Sequence, residues 1–430
     1  MSAPRAAASR PPLPDTTECE VLVIGCGPAG ASASYWLAEA GYDVVTLERK
    51  HFPREKTCGD GLTPRSVRQL YDMGLADALS IHHRFQGLRA LAFGKELLLS
   101  WPSHPDFPAH GYVVTRADLD ALVAQRAAKA GARIFEGAEA LGPLLPGAGV
   151  GSPAGGAVVA DRDHGRNVEV RARYVVVADG SNSRVGRALG AGRDRSLPVG
   201  MALRGYYTSP RHAEPWIESH LDLRHCDDVV PGYGWIFPLG DGRVNVGVGL
   251  LSSAGHLKQA NTTRLLDAFL AKAPESWCLT PEAALGVPTG GKLPMGLSVG
   301  PRVGPDWVLA GDASGAINPF NGEGIAYGYE TGRLAAAAVG GALAAADPGL
   351  LGSYGTDLEE RYGLYYKVAS AFMTLMGRPQ VMRRLVDTGM HSRSIMEWLL
   401  RIMSNLLRPE ETGPAEAAYK LAAAIARRSA

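Results

Sequence analysis

An apolar run, Val21-Leu22-Val23-Ile24, opens directly onto Gly25-Cys26-Gly27-Pro28-Ala29-Gly30, and a helix-like Ala/Ser/Trp/Leu stretch follows. Glycines at this spacing between a strand and a helix suit one task, the holding of a pyrophosphate. Gly25 lets the chain turn tightly, Gly27 lets the backbone approach the phosphates, and Gly30 lets the helix pack close to the strand. The helix N-terminus then offers free N–H groups and a partial positive charge. A second run, Val44-Val45-Thr46-Leu47, ends in Glu48, whose carboxylate can accept both hydroxyls of an adenosine ribose. An acid about 20 positions past the glycines is where that contact is expected. The glycine pattern alone is weak; with both strands and the acid in register it reads as a dinucleotide site.

Other residues could carry chemistry too. Cys58 sits in Arg54-Glu55-Lys56-Thr57-Cys58-Gly59-Asp60-Gly61, a loop dense in polar groups and glycine that suits backbone held against a ligand. A free cysteine is usually a small packing residue; as a proton donor it would start from a thiol of pKa about 8.5. Tyr233 and Trp235 have period-two spacing and share one face of a strand, either core or an aromatic wall. Asp179 reads equally as a turn cap. The five cysteines, Cys19, Cys26, Cys58, Cys226 and Cys278, are odd in number and form no CxxC pair. That argues against a zinc site or disulfide framework and fits a reducing cytoplasm. The eleven histidines show no metal-ligand spacing, so no metal is expected, and His82-His83 reads as a surface pair.

The elements that must position these groups form more than one core, since 430 residues exceed a single ordinary one. The net charge of +1, with no basic run interleaved with aromatics, excludes nucleic acid as a partner. The first fifteen residues are Pro-, Ala- and Arg-rich without an apolar segment and read as a loose tail. The Ala-rich run Leu334 to Ala346 is too short to span a bilayer. Glu20 to about Leu79 reads as β-α-β followed by a loop and helix. Arg116 to Ala130 is an amphipathic helix capped by Thr115 and stopped by Gly131. Arg133 to Glu136 is a strand, 142–156 a surface loop between paired strands, and Tyr174 to Ala178 a buried parallel strand. From about Pro198 to Pro294 the pattern turns to mostly antiparallel sheet. Trp307 to Ala310 returns to the parallel pattern, a long helix runs to about Ala345, and from Tyr354 the chain reads as helical. The fold class is therefore α/β plus antiparallel β. A Rossmann-like dinucleotide-binding domain (19–80, 113–193 and 299–346) is interleaved with a β-sheet substrate domain (81–112 and 194–298). A tail (1–18) precedes them and a C-terminal helical region (347–430) follows.

Two further motifs carry a resemblance. Ala178-Asp179-Gly180-Ser181-Asn182-Ser183 resembles the DG motif, and Gly311-Asp312-Ala313 the GD motif, of flavin enzymes related to aromatic hydroxylases. With the glycine fingerprint they make FAD, rather than NAD, the expected dinucleotide. Lys56 to Gly61 and Tyr233-Gly234-Trp235-Ile236-Phe237-Pro238 resemble the Cys-Gly loop and Tyr-x-Trp-x-Phe-Pro motif of the geranylgeranyl reductase family, and Asn318-Pro319-Phe320-Asn321-Gly322-Glu323-Gly324-Ile325 fits the same group. Within it the resemblance is to menaquinone reductases of actinobacterial type, which saturate one double bond of the quinone's isoprenoid tail. It covers about residues 20 to 345 and fades beyond.

The resemblance implies roles by position. Gly25, Gly27, Pro28, Ala29 and Gly30 would hold pyrophosphate, with Glu48 and Arg49 at the adenosine end. Arg116 would reach the phosphate or ribose region, and backbone near Ala140 the adenine. Cys58 and Gly59 would line the flavin ring, Asp312 would bond the ribityl chain, and Asp179 would belong to the flavin site. Gly324 and Ile325 would place N–H groups near the N1–C2=O edge, where reduced flavin is negative. It implies reduction of an isoprenoid C=C bond in a dry, closely fitted channel, with a proton from Cys58 or water and Tyr233 and Trp235 steadying cationic character through their ring faces. Geranylgeranyl diphosphate or a prenyl ether lipid is an alternative substrate. A monooxygenase or halogenase would keep the scaffold, but halogenases carry Trp-x-Trp-x-Ile-Pro where this chain has Tyr233 and Phe237. A non-catalytic prenyl-lipid binder would not need the intact fingerprint. With no second GxGxxG, either NAD(P)H or a ferredoxin-like protein would be the electron donor.

The C-terminal region has its own signal. From Arg361 to Arg408 stand eight Lys/Arg against two Asp/Glu, with Met373, Met376, Met382, Met390, Met396 and Met403, six of the ten methionines. Flexible thioethers fill irregular apolar space, and basic residues beside an apolar face favour an anionic membrane. An ordinary helical cap is the plainer reading. The membrane reading makes the protein cytoplasmic and peripheral on the inner face of the cell membrane.

Overall fold

The computed structural model describes residues 12–145, 151–225, 228–252, 261–408 and 410–428. Residues 1–11 of the expected tail, 146–150 of the expected loop and Cys226 lie outside the described residues. The apolar runs that flag parallel strands form the centre of one sheet. Thr16–Ile24 pairs in parallel with Val44–Glu48 on one side and with Arg166–Val177 on the other, and Val44–Glu48 pairs with Arg133–Glu136. Trp307–Leu309 adds in parallel to the end of Arg166–Val177, while Gly156–Asp161 and Ala138–Pro143 extend the far side antiparallel. Val21, Leu22, Val23, Val175, Val176, Val177, Val308 and Leu309 are wholly buried, as strands covered on both faces must be.

The register brings three motifs to one edge. Ile24 is opposite Leu47 and Val177, and Val177 is opposite Leu309. The chain therefore leaves the sheet at Gly25, Glu48, Ala178 and Ala310 side by side, at the carboxyl ends of the strands where open α/β sheets bind ligands. Helix Pro28–Glu39 packs there against the long helix Ile325–Ala345. The approach needs glycine: a methyl group on Gly332 would lie 2.2 Å from the Ala29 carbonyl oxygen, and one on Gly30 1.8 Å from that of Gly25.

The second sheet runs in the order Thr289–Pro294, Val199–Thr208, Arg243–Ser252, Gly232–Pro238, Trp216–His220, Gly87–Ala92, Lys95–Ser100. All pairs are antiparallel except Trp216–His220 with Gly87–Ala92. Strands from 81–112 thus complete a sheet built mainly from 194–298. Beyond Tyr354 the chain is helical as expected, in Gly352–Leu358, Leu364–Met376, Pro379–Met390, Arg393–Met403 and Pro414–Arg428, with a π turn at Glu359–Gly363. Met382, Met390 and Met396 are buried with Val386 and Leu400 against Phe85, Leu99 and Trp101 of the substrate side. For these methionines the cap reading holds.

Two expectations need correction. The first strand starts at Thr16, inside the stretch read as tail; Thr16 to Glu18 pair with Glu169 to Arg171, and Leu13 is buried. β-Branched Thr16 and Thr17 continue a ladder whose partner strand is long enough to receive them. His82 and His83 are not a surface pair: both are half-buried, and the His83 ring is hydrogen-bonded to the Glu214 carbonyl at 2.7 Å. No helix among the described residues is long and apolar enough to cross a membrane.

Candidate active site

The glycine loop adopts the conformation that only its residue types allow. Gly25 has φ +93°, and a methyl group there would lie 2.5 Å from the Ala178 carbonyl oxygen. Its N–H donates to Leu47 O at 2.8 Å, tying the turn to the second strand. Pro28 opens the helix, where its missing N–H costs nothing, and Gly27 caps it without a side chain.

Four charged side chains enclose this loop. Glu48 Oε2 accepts from Cys26 N–H at 3.2 Å and from Arg54 Nη2 at 3.0 Å, and Oε1 accepts from Lys50 N–H at 3.1 Å. Arg54 also pairs with Asp120 at 2.9 Å, and Asp120 is bidentate with Arg116 at 2.8 and 2.6 Å. Glu48, Arg116 and Asp120 are buried, and charges out of water persist only when paired in this way. Burial alone would lower Arg116's pKa; the Asp120 carboxylate outweighs it and holds the guanidinium well above its usual value. Both Arg116 Nη2 and Arg54 Nη2 lie 3.8 Å from where a Gly27 side chain would start. The open cradle and two guanidiniums beside it fit a pyrophosphate, so the residues present fit FAD. The sequence analysis named Arg116 and Glu48 but missed Arg54 and Asp120. Asp120's signal was its place four residues after Arg116; Arg54 stood at the head of the polar loop.

The remaining expected contacts distribute unevenly. Arg49 is exposed beside Glu48. Ala140 lies on Ala138–Pro143 with its side chain buried among Val45, Leu47 and Val159, so only backbone is offered there. Asp179 follows the strand end next to Gly25, and its Oδ2 accepts from Arg184 N–H at 2.9 Å and Val185 N–H at 3.3 Å, capping helix Arg184–Ala188. Asp312 occupies the one-turn helix Gly311–Ser314, where Lys56 Nζ meets its Oδ2 at 3.1 Å. Its Oδ1 lies 3.3 Å from where a Gly324 side chain would start, and Ile325 is the first residue of the long helix. Asp312, Gly324, Ile325 and the Cys58 loop are therefore brought together.

The Cys58 loop is held from behind by the substrate sheet. Asn245 Nδ2 donates to Cys58 O and to Asp60 Oδ2, each at 2.8 Å, while Trp235 Nε1 donates to Asn245 Oδ1 at 2.9 Å. Tyr206 donates its hydroxyl to the same Asp60 oxygen. Phe237 lies 3.1 Å from where a Gly59 side chain would start and 3.0 Å from that of Gly61. Tyr233, Trp235 and Phe237 form one aromatic row with centroids 5.9 and 6.2 Å apart. Trp235 is buried against Gly247 and Gly59 and thus positions the loop, whereas Tyr233 is half-exposed and donates to Asn321 O at 2.7 Å. Burial first, then the Asp60 carboxylate, push the Cys58 thiol above its usual range, so it stays protonated. Asp60 itself, fully buried at φ +64°, is pushed up to about 6 by burial. The loop Asn318–Gly324 is anchored on its other side: Asn318 and Asn321 side chains donate to Met403 O at 2.9 and 3.2 Å.

Comparison with known proteins matches the chain to a family. Residues 18–203 match an FAD binding domain, and residues 223–280, which include the aromatic row, match a geranylgeranyl reductase catalytic domain. A menaquinone reductase of Mycolicibacterium smegmatis is 39% identical over 415 residues, 96% of this chain and 98% of that protein. The chain belongs to the geranylgeranyl reductase family. Like that family it is an FAD-dependent oxidoreductase. A digeranylgeranylglycerophospholipid reductase of Methanopyrus kandleri is 33% identical over 82% of this chain and 85% of its own. Among solved structures, a geranylgeranyl bacteriochlorophyll reductase-like protein of Thermoplasma acidophilum superposes with TM-score 0.73 at 23% identity, covering 94% of this chain and 96% of its own. A flavin-dependent brominase reaches the same TM-score at 18% identity, over 96% of this chain and 100% of its own. At such identities these two establish the fold of this reductase family member and nothing finer.

Proposed function

We propose that this protein saturates one double bond in the isoprenoid tail of menaquinone. The observation that carries the reading is the Cys58 loop, pinned by Asn245 and the aromatic row of the substrate sheet and facing Asp312 and the helix start at Gly324. The extent of similarity to a protein named menaquinone reductase supports the choice of substrate.

An isolated trisubstituted alkene has no neighbouring carbonyl to polarise it, so proton addition must lead or accompany reduction, and the site must exclude water. When bound, FAD supplies the two-electron chemistry, hydride transfer to one alkene carbon. The chain's own residues do the rest. The glycine loop with Arg54 and Arg116 binds the pyrophosphate, Glu48 the ribose, and Asp312 the ribityl chain. Trp235 and Phe237 seal the back of the Cys58 loop, and the half-exposed Tyr233 ring offers its face to cationic character on the substrate. NAD(P)H or a ferredoxin-like protein supplies electrons. The C-terminal helices expose the basic Arg378, Arg383 and Arg384 and the apolar Leu375, Leu385 and Trp398, a composition that suits docking on the anionic inner surface of the cell membrane, where the quinone resides.

The test is mass spectrometry of the host's quinones after deletion of the gene. A fully unsaturated tail replacing a dihydro one is the expected result; an unchanged quinone pool with altered prenyl ether lipids or diphosphates would move the substrate within the family.

A further inference from the structure

Glu323 stands one residue before the helix start at Gly324, in the loop that meets both the substrate sheet and the C-terminal helices. Its Oε1 accepts from the Thr63 hydroxyl and from Ser66 Oγ at 3.4 Å, at the head of helix Pro64–Asp72. Its Oε2 is shielded from solvent and has no hydrogen-bond partner among the described residues. An ionised oxygen left so is costly, while a carboxylic acid carrying its proton there is not. Around it stand Arg65, matched by Glu330 at 2.8 Å, and the hydroxyls of Tyr233, Tyr327 and Tyr365. Tyr362 also donates to Glu330. Burial pushes the Glu323 carboxyl up to about 7, against the Thr63 bond and Arg65, with Glu330 adding to the rise. Neither alternative acid competes well. The Cys58 thiol is held above its ordinary range, and Asp60 is walled in behind the loop by Tyr206 and Asn245.

We propose that Glu323 is the proton store of the reaction, its protonation linked to the charge on the cofactor edge beside Gly324 and Ile325. The proposal rests on the reading of the protein as a flavin-dependent alkene reductase. With FAD held as the family resemblance implies, the helix start one residue after Glu323 would lie against the cofactor, and negative charge gained there on reduction would favour the neutral carboxyl. Loss of that charge, as hydride passes to one alkene carbon, lets Glu323 release its proton to the other. The π bond is consumed, two C–H bonds form, the reduced flavin is oxidised by two electrons, and the Glu323 carboxylate regains a proton from water.

The experiment compares the holoenzyme with Glu323→Gln, which keeps an acceptor for Thr63 and Ser66. The midpoint potential of the bound FAD is followed from about pH 5 to about pH 9. In the unaltered protein reduction takes up an extra proton at pH values where the carboxyl has ionised with oxidised flavin bound, so the potential falls more steeply there; in Glu323→Gln that segment disappears. An identical pH dependence in both proteins overturns the proposal. Should the variant lose FAD, the infrared carbonyl band of a protonated carboxyl in Asp60→Asn holoenzyme, which lacks the buried Asp60 carboxyl of raised pKa, decides. Disappearance of that band through about pH 7 supports the store, and absence of any such band overturns it. A protein that reduces another prenyl substrate but not menaquinone, and loses the steep segment in Glu323→Gln, sinks the menaquinone reading and keeps this one. An active menaquinone reductase with an unaltered profile does the reverse.

Discussion

Trp235 and Cys58 are joined through a single side chain. The indole N–H of Trp235 donates to Asn245 Oδ1, and Asn245 Nδ2 donates to the carbonyl of Cys58 and the carboxyl of Asp60. A residue of the substrate sheet thereby sets the position of a loop of the FAD domain.

Asn245→Leu breaks that link. Three buried polar groups lose a partner, at about 1–3 kcal/mol for each group left unsatisfied. The expected outcome is a lower melting temperature and a turnover loss of at least tenfold with FAD retained. Unchanged turnover in a folded, yellow variant would show that the loop is held by the aromatic row alone.

Arg54 links two carboxylates, Glu48 and Asp120, so Arg54→Ala leaves both short of a partner in a buried place. Removal of one member of a buried ion pair costs about 3–5 kcal/mol. Loss of FAD on gel filtration together with a marked fall in thermal stability is expected. Full FAD occupancy in the variant would remove Arg54 from the cradle.

Asp60 gives the protein a pH dependence of unusual sign. Its folded pKa of about 6 stands above the ordinary 3.8, so the folded state binds this proton more tightly than the unfolded one. Its contribution to stability is therefore full below about pH 4 and declines as pH rises through about 6, a change on the order of a few kcal/mol. Glu323 acts in the same direction up to about 7. Melting curves of Asp60→Asn across this range should fall less steeply with rising pH than those of the unaltered protein. Parallel curves would contradict the burial of Asp60 Oδ1 without a hydrogen-bond partner among the described residues.

Cys58→Ser should keep FAD and most of the turnover, because the thiol is too weakly acidic to be the proton source. A hundredfold fall in turnover with full FAD occupancy would restore the thiol to the chemistry.

Replacement of Arg383 and Arg384 by Glu reverses charge on an exposed helix face without touching the FAD site. Each basic residue near an anionic surface contributes about 1 kcal/mol. Co-sedimentation with vesicles rich in anionic lipid should fall at least tenfold while turnover on a detergent-dispersed substrate persists. Equal sedimentation of variant and parent would return these helices to the status of a cap.

Much of this arrangement was legible because the signals are local. Strands such as Tyr174 to Val177 and Trp307 to Leu309 are buried on both faces and so announce themselves as unbroken apolar runs. Gly25 takes a positive φ, Gly30 has no room for a side chain, and Pro28 suits the first turn of a helix, so each is tied to its residue type. The partners that complete the site are not local. Arg54 meets Asp120 on a different element, Asn245 meets Cys58 187 residues away, and Thr63 meets Glu323 260 residues away. No periodicity encodes such pairings. Trp235 was open between core and ligand wall because a period-two pattern names a face without saying what covers it.

The carbonyl of Met403 ends the helix Arg393–Met403 and takes hydrogen bonds from Asn318 and Asn321. The similarity to the menaquinone reductase of Mycolicibacterium smegmatis runs over 96% of the chain and so beyond the expected limit near residue 345, and these bonds tie that last region to the strip of backbone that carries Glu323. Any shift of this last bundle would strain those bonds, so the tail end of the chain helps to fix where that strip sits.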